Sequence, residues 1–296
     1  MEIKVYKAYN PDAIRKTTPN KRIREAFEST DNVLRYLSEL KPKITTQYVA
    51  ALTKRLRDVV KDFEMDTGFL DHDEITQDLN HLNAHSDLLD TILLYVFKHL
   101  DLPQYPDSGS EEIGVKSLNT TKAYERLAYH RAKAIADVLG DEKAIPLWKK
   151  VVAKRLEAER IEYEKRQRER EEKGEGIPSL TEVREGAIKR WIETGLGDFV
   201  ACVFDEHSEV FRFDRCITHE ALKDLEDTDW AYLATCYIGD APEYNTFGTQ
   251  YLRRTQTLHH GAFCDEFYWD NRFHKDPKQP DLEFTRSLGR NQGTDE

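Results

Sequence analysis

The sequence predicts an α+β fold: a helical N-terminal region, then long helices packed on a small antiparallel sheet of two hairpins. Three observations carry this. Before residue 197 the apolar residues recur with helical period. After it the period drops to two, in short β-branched and aromatic runs joined by polar turns. Runs of helices followed by hairpins, rather than alternating with strands, give an antiparallel sheet and not a wound parallel one.

The elements follow in order. Residues 1–20 hold two prolines and no clear period and are read as an arm against the body. Arg22 to Leu40 is helical, with a break expected near Ser29–Asp31. In "TTQYVAALTKRLRDVVKDFEM", Val49, Leu52, Leu56, Val59 and Phe63 form one helix face. "DHDEITQDLNHLNAHSDLLDTILLYVFKHL" reads as a single helix with a stripe from Ile75 to Leu100, ended by Pro103 and Pro106. The Gly-, Ser- and acid-rich stretch 104–118 marks a boundary. A helix from near Asn119 stops at Gly140, and a longer one follows with Asp141 as its cap and Pro146 as a kink or late start. Its first half has an apolar face (Ile145, Trp148, Val152, Leu156), while residues 157–173 are nearly all charged and read as a solvated extension. "GEGIP" breaks the chain, and Ser179 to Glu182 is a capping-box signature. "FVACVF" and "VFRFDRC" are strands around "DEHSE", and "HEALKDLEDTDWAYLATC" is short helix. "TQYLRRTQTL" and "FCDEFYWD" are strands around "HHG". The expected units are a helical N-terminal region (1–118), a helix-plus-sheet domain (119–275) and a polar tail (276–296).

Composition bounds the function. Apolar residues make up 39% and charged residues 33%, and 13 Phe, 14 Tyr and 4 Trp supply a core. A net charge of −11 repels phosphate backbones, which argues against nucleic acid as a partner. No run approaches the ~20 apolar residues that span a bilayer, and "MEIKVYKAYN" has no apolar signal core. The expectation is a cytoplasmic protein, with Cys202, Cys216, Cys236 and Cys264 as free thiols and homo-oligomerisation left open.

Two constellations could carry chemistry. On the predicted third helix, Asp78, His81 and His85 share a face and could ligate a metal with a further ligand, but no Glu follows the first His as in HExxH. The plainer reading is polar residues flanking an apolar stripe. The second is "CYIGDAPEYNTFGTQYLRRTQTLHHGAFCDEFYWD". With His260-Gly261 as a tight turn, His259 pairs with Ala262 and Thr257 lies opposite Cys264. One face then carries Tyr251, Arg253, Thr255, Thr257, Cys264, Glu266, Tyr268 and Asp270. The other carries Leu252, Arg254, Gln256, Leu258, Phe263, Asp265, Phe267 and Trp269, with Arg254 and Asp265 as an ion pair. A polar strand face turned towards helices suits a pocket for a small polar molecule. A thiol activated by Arg or His is a nucleophile, an Arg fork suits a carboxylate, and Asp or His moves protons. The alternative is a strand whose cysteine and aromatics are core. Cys216, Cys236 and Cys264 are 20 and 28 residues apart, without the close pair of a structural zinc site. GxGxxG, P-loop and GxSxG motifs are absent.

These residues are similar to the L-2-amino-thiazoline-4-carboxylic acid hydrolase family. The resemblance rests on "VLGDEKA", "FRFDRC", "DWAYLATCYIGD" and above all "RRTQTLHHGAFCDEFYWD", and it covers roughly residues 120–272. It implies hydrolytic opening of a small carboxylated heterocycle, with functional positions at Cys236, Asp240, Arg254, Thr257, Gly261, Cys264 and Asp265. Two departures accompany it: three residues separate Cys236 from Asp240, and no acidic residue stands next to Gly261. The expectation is a hydrolase acting on a cyclic C–N bond. Cys236, Asp240, Cys264 and Asp265 are its catalytic candidates, and Arg253, Arg254, Thr257 and His259 its substrate-binding ones. No cofactor and no metal is expected. The alternatives are a non-catalytic small-molecule-binding module, or an isomerase or lyase on the same fold.

Overall fold

A computed structural model describes residues 1–289 of the chain. Helix α1 (Pro19–Leu40) starts where the Thr18 side chain accepts the N–H of Lys21 and Pro19 fills the first turn. Ile23, Phe27, Thr30, Leu34 and Leu37 form its buried stripe. The break expected at Ser29–Asp31 does not occur. The Ser29 and Thr30 hydroxyls bond back to the carbonyl of Ala26, so the competing polar groups are absorbed inside the helix. Helix α2 (Thr45–Val60) buries Tyr48, Leu52, Leu56 and Val60, a stripe rotated slightly from the expected one.

The segment read as one long helix is three pieces. They are α3 (His72–Thr76), a 3-10 turn at Leu82–Ala84, and α4 (Ser86–Leu100). Asp78 is left-handed at φ 64°, which halts α3. Asp31 of α1 then accepts the N–H groups of His81 and Leu82, both at 2.7 Å. These donors go to a side chain instead of a helical ladder, so Asp78, His81 and His85 do not share a helix face. No group of three or more residues able to hold a metal occurs among the described residues.

Helix α5 (Ser117–Leu139) ends at Gly140, whose φ of 73° needs no Cβ, and α6 (Asp141–Glu172) starts at once. Gly140, not Asp141, is the cap residue, and Pro146 sits inside α6 without ending it. Beyond Leu156 α6 is mostly polar, with ion pairs Arg155–Glu159 and Arg160–Glu164 along it, and Tyr163 packs on Phe247. Helix α7 (Leu180–Glu193) carries the Ser179/Glu182 capping box.

The sheet has five strands, not two hairpins alone. β1 (Glu2–Lys7) comes from the expected arm, whose next stretch, β2 (Ile14–Thr17), pairs with β3 (Ile113–Lys116) in a separate ribbon. The hairpin β4 (Gly197–Asp205) and β5 (Ser208–Cys216) follows. Then come helices α8 (Ile217–Leu222) and α9 (Thr228–Thr235), strands β6 (Gln250–Arg253) and β7 (Cys264–Asp270), and helix α10 (Leu282–Ser287). The antiparallel order is β1-β4-β5-β7-β6. One sheet face packs Phe199, Phe211 and Phe213 around Trp191 of α7. The other packs Val200, Val210, Phe267 and Trp269 under Leu288. Arg212 fastens the C-terminal segment there by donating to the carbonyls of Thr285, Arg286 and Leu288.

One apolar core runs from Ile23 to Ala241, straight across the boundary expected at residue 118. The expected tail contributes α10, and residues 290–296 of it lie outside the described residues. Among the described residues no helix is long and apolar enough to cross a membrane.

Inside the helical core, Tyr95 stacks edge-on with both His99 and His130. Burial pushes the pKa of His99 down to about 4 and that of His130 to about 3. Both are neutral in the fold and take up protons on unfolding once the pH passes below ~6.5, so the stability they contribute is present above that value and lost as pH falls. Between pH 6.5 and 4.5 each is expected to cost about 2 kcal/mol. Glu209 acts in the opposite sense, since burial raises its pKa to about 7 against the pull of Arg184. Denaturant titrations of wild type and His130→Gln at both pH values isolate the histidine part: the variant should lose markedly less stability on acidification.

Candidate functional site

A bulge in β5 begins the site. β4 and β5 keep register from Phe199↔Phe213 to Val203↔Glu209, but on the other side the next pair is Asp198↔Arg215, which leaves Asp214 unpaired. That extra residue reverses the alternation, so Cys216 turns to the same side as Phe211 and Phe213. Arg215 is sent the other way, to lie 3.7 Å over the Tyr9 ring. On β7 the alternation places Cys264, Glu266 and Tyr268 on the Cys216 side. Opposite them stand Glu125 of α5, Trp191 of α7, His219 of α8, and Thr235 and Cys236 at the end of α9. The cavity between them has a volume of about 330 Å³.

The second hairpin has a different register from the expected one. Leu252 pairs with Tyr268 and Arg253 with Phe267, one residue away from the pairing of Thr257 with Cys264. A slip of one reverses every side chain of the shorter strand. Leu252 and Arg254 therefore join Cys264, Glu266 and Tyr268, while Tyr251 and Arg253 go to the far side with Phe267 and Trp269. The cause is Asp265. It is fully buried and its carboxylate accepts the N–H groups of Thr255 and Gln256 at 2.9 and 2.7 Å and the Gln279 amide at 2.7 Å. The backbone after β6 bonds to that side chain, so residues 254–263 form a loop rather than a tight turn. Asp265 holds this loop and does not face the cavity; the expected Arg254–Asp265 pair is absent.

Arg254 instead crosses from the sheet to the helical layer. Its Nε donates to Asp240 at 2.9 Å, one Nη to the Cys236 carbonyl at 2.8 Å, and the other to Glu266 at 3.4 Å. Burial works against its charge, but Glu266 and Asp240 outweigh it and the pKa rises. Gly239 makes this crossing possible: a Cβ there would stand 2.0 Å from an Arg254 nitrogen. Tyr232 donates to the other oxygen of Asp240 at 2.8 Å. Asp240 lies on the outer side of the guanidinium, in a neighbouring cavity of about 600 Å³ shared with Arg253, Arg254 and Thr257. Arg253 faces outward there, paired with Asp276 at 2.7 Å.

The cavity is electrostatically unusual. Burial raises the pKa of Cys216, pushes that of Cys236 up to about 12 with Arg254 opposing, and holds Cys264 well above its ordinary value with Glu266 adding to the rise. All three are neutral thiols at pH 7, so the expected activated nucleophile is not prepared in the ligand-free protein. Burial likewise pushes His259 down to about 4, leaving a neutral imidazole. Glu266 accepts from the Tyr268 hydroxyl at 2.9 Å and from Arg254. It is the oriented carboxylate of the cavity. Thr257 Oγ1 and His259 Nε2 line the same space, are buried, and have no hydrogen-bond partner among the described residues. Each orphan costs ~1–3 kcal/mol. A polar ligand or water bonding to both would remove that cost.

Of the expected site residues, Cys236, Cys264, Arg254, Thr257 and His259 line one cavity, with Asp240 behind Arg254 and with Asp265 and Arg253 outside it. Cys216, His219 and Glu125 are lining groups to which the sequence reading gave no part in this pocket, and Glu266 stood on the expected pocket face without being singled out. The parity of β7 pointed to Glu266, two residues from Cys264; the bulge behind Cys216 has no signature in "FRFDRC".

Removing Arg254 leaves two carboxylates facing each other, so Arg254→Met should lower unfolding free energy by about 3 kcal/mol, against no more than about 0.5 kcal/mol for the outward Arg253→Met; chemical denaturation decides. Native Cys236 and Cys264 should alkylate with iodoacetamide at pH 7.5 at least about 100-fold more slowly than a free cysteine, as mass spectrometry of timed samples would read. Set beside known proteins, the chain matches no family model, no curated protein and no solved structure.

Proposed function

We propose that the chain is a hydrolase that opens a small heterocycle inside the cavity between the sheet and helices α5, α7, α8 and α9. One observation carries the reading: two buried polar atoms, Thr257 Oγ1 and His259 Nε2, stand without partners in a cavity that also holds an oriented carboxylate, Glu266. Orphaned polar groups beside an available base suit a ligand that is hydrogen-bonded at one end and attacked by water at the other. The motif resemblance to thiazoline carboxylate hydrolases supports the same class of substrate.

The residues divide the work as follows. Thr257 and His259 orient the ring. Glu266 accepts one proton of a water as its oxygen bonds to the C=N carbon of the ring; the π pair moves to the ring nitrogen, which takes that proton from the Glu266 carboxyl. A single bond from that carbon to a ring heteroatom then breaks, the C–OH proton passing through Glu266 to the leaving heteroatom as the C=O forms. The neutral thiols of Cys236 and Cys264 supply soft, weakly polar walls and no nucleophile. Arg254 positions Glu266. Its donors to Asp240, Glu266 and Cys236 leave it poorly placed to bind a substrate carboxylate, so a heterocycle without a strongly held acid group fits better than a carboxylated one. The same commitment of Arg254 favours a second reading, a small-molecule-binding module without turnover.

The test is ring opening of 2-amino-thiazoline and its 4-carboxylate by purified protein, followed by loss of ring absorbance. Wild type should turn over at least one of the two. Glu266→Gln should lower kcat by about 10²-fold or more with little change in KM, and Cys264→Ser should retain most activity. Ligand-induced stabilisation without turnover would establish the binding module instead; turnover lost in Cys264→Ser and kept in Glu266→Gln would return the role to the thiol.

A further inference from the structure

A second cavity, of about 650 Å³, lies on the helical side between α1, α5, α6 and α9, away from the Glu266 carboxylate. In a chain of net charge −11, its lining carries Arg35, Arg131, Arg155 and Arg166 against only Glu159 and Glu162. Glu159 is already paired with Arg155 at 2.9 Å. Tyr36, Trp148, Tyr163 and Phe247 provide flat apolar surface. Trp148 is fixed by its indole N–H, which donates to the Leu233 carbonyl at 2.8 Å.

Arg131 is the decisive residue. It sits in the middle of α5, only 8% exposed, and no carboxylate lies within ion-pair distance of it among the described residues. One Nη donates to the Ser29 and Thr30 hydroxyls. Its Nε is buried with no hydrogen-bond partner. Glu125 acts on it only at longer range, and burial lowers the Arg131 pKa to about 10. Arg35, half-buried in the same wall, also has a buried Nε without a partner; its hydrogen bonds go to Asn32 and Tyr36. A guanidinium kept out of water without a paired counter-charge is costly, and an anion entering the cavity would compensate it at closer range than Glu125 does.

We propose that this cavity binds a small organic anion, a carboxylate or phosphate ester on a flat apolar body. The anion meets Arg131 and Arg35, and the flat body lies among Trp148, Tyr36 and Tyr163. Arginine forks match both kinds of oxyanion, and the aromatic walls favour an organic body over a bare ion.

Calorimetric titration of the full chain with phenyl phosphate, benzoate and inorganic phosphate tests this. At least one of the two organic anions should bind, and more tightly than inorganic phosphate. Arg131→Met should weaken it by roughly tenfold to a hundredfold and leave the unfolding midpoint of the ligand-free protein unchanged or raised. Arg35→Met should weaken it severalfold, and it serves as the test if the Arg131 variant does not fold. No binding of either organic anion by wild type, or undiminished binding by the arginine variants, would overturn the proposal. Inorganic phosphate binding as tightly as phenyl phosphate would overturn the flat body. Glu266→Gln, in the other cavity, should leave these titrations unchanged, so failure here and failure of ring opening are separate results.

Discussion

The Arg254 guanidinium ties the two halves of the site together. It leaves the sheet just beyond β6 and reaches Asp240 and the Cys236 carbonyl on the helical side, while holding Glu266 of β7. With 7% of its side chain exposed, it is a charge kept from water by its partners. Such an arrangement contributes little net stability against an apolar replacement of all members, but it is intolerant of losing one. Position follows from it. The 3-10 turn at Tyr237–Asp240 is drawn over the sheet edge, Gly239 yields the space, and the cavity of Cys216, Cys236 and Cys264 closes beneath.

The sheet edge depends on a second substitution of side chain for backbone. Asp265 accepts two backbone N–H groups of the loop after β6. On the outer side of β6, Asn245 gives and takes one hydrogen bond each with Leu252, in the manner of another strand. Both devices end the pairing early. The edge strand stays short and shielded, which limits edge-to-edge association.

These devices mark where the sequence could be read and where it could not. Helical period located α1, α2 and α5, and the Ser179/Glu182 box located α7, because each signal is local. The parity of β7 grouped Cys264, Glu266 and Tyr268 correctly for the same reason. The register of β6 failed because it is set by Asp265, a residue beyond the loop, acting on backbone that a hairpin would have paired. The helix containing His81 failed because Asp31, far away in sequence, captures its amides. Arg131 has no local signal in the sequence; only packing places it in a wall shared with α1 and α6.

The first strand carries a consequence of another kind. β1, residues 2–7, is hydrogen-bonded to residues 198–203 of β4, while helices α1 to α6, which lie between them, already pack on one another. Loop closure over such a span is slow compared with helix pairing. A ribosome producing this chain therefore releases its opening residues long before their partner strand exists. Until β4 emerges, Val5 and Tyr6 have no sheet to join, and helices α1 to α6 can pack first, before α8, α9 and the sheet complete the core.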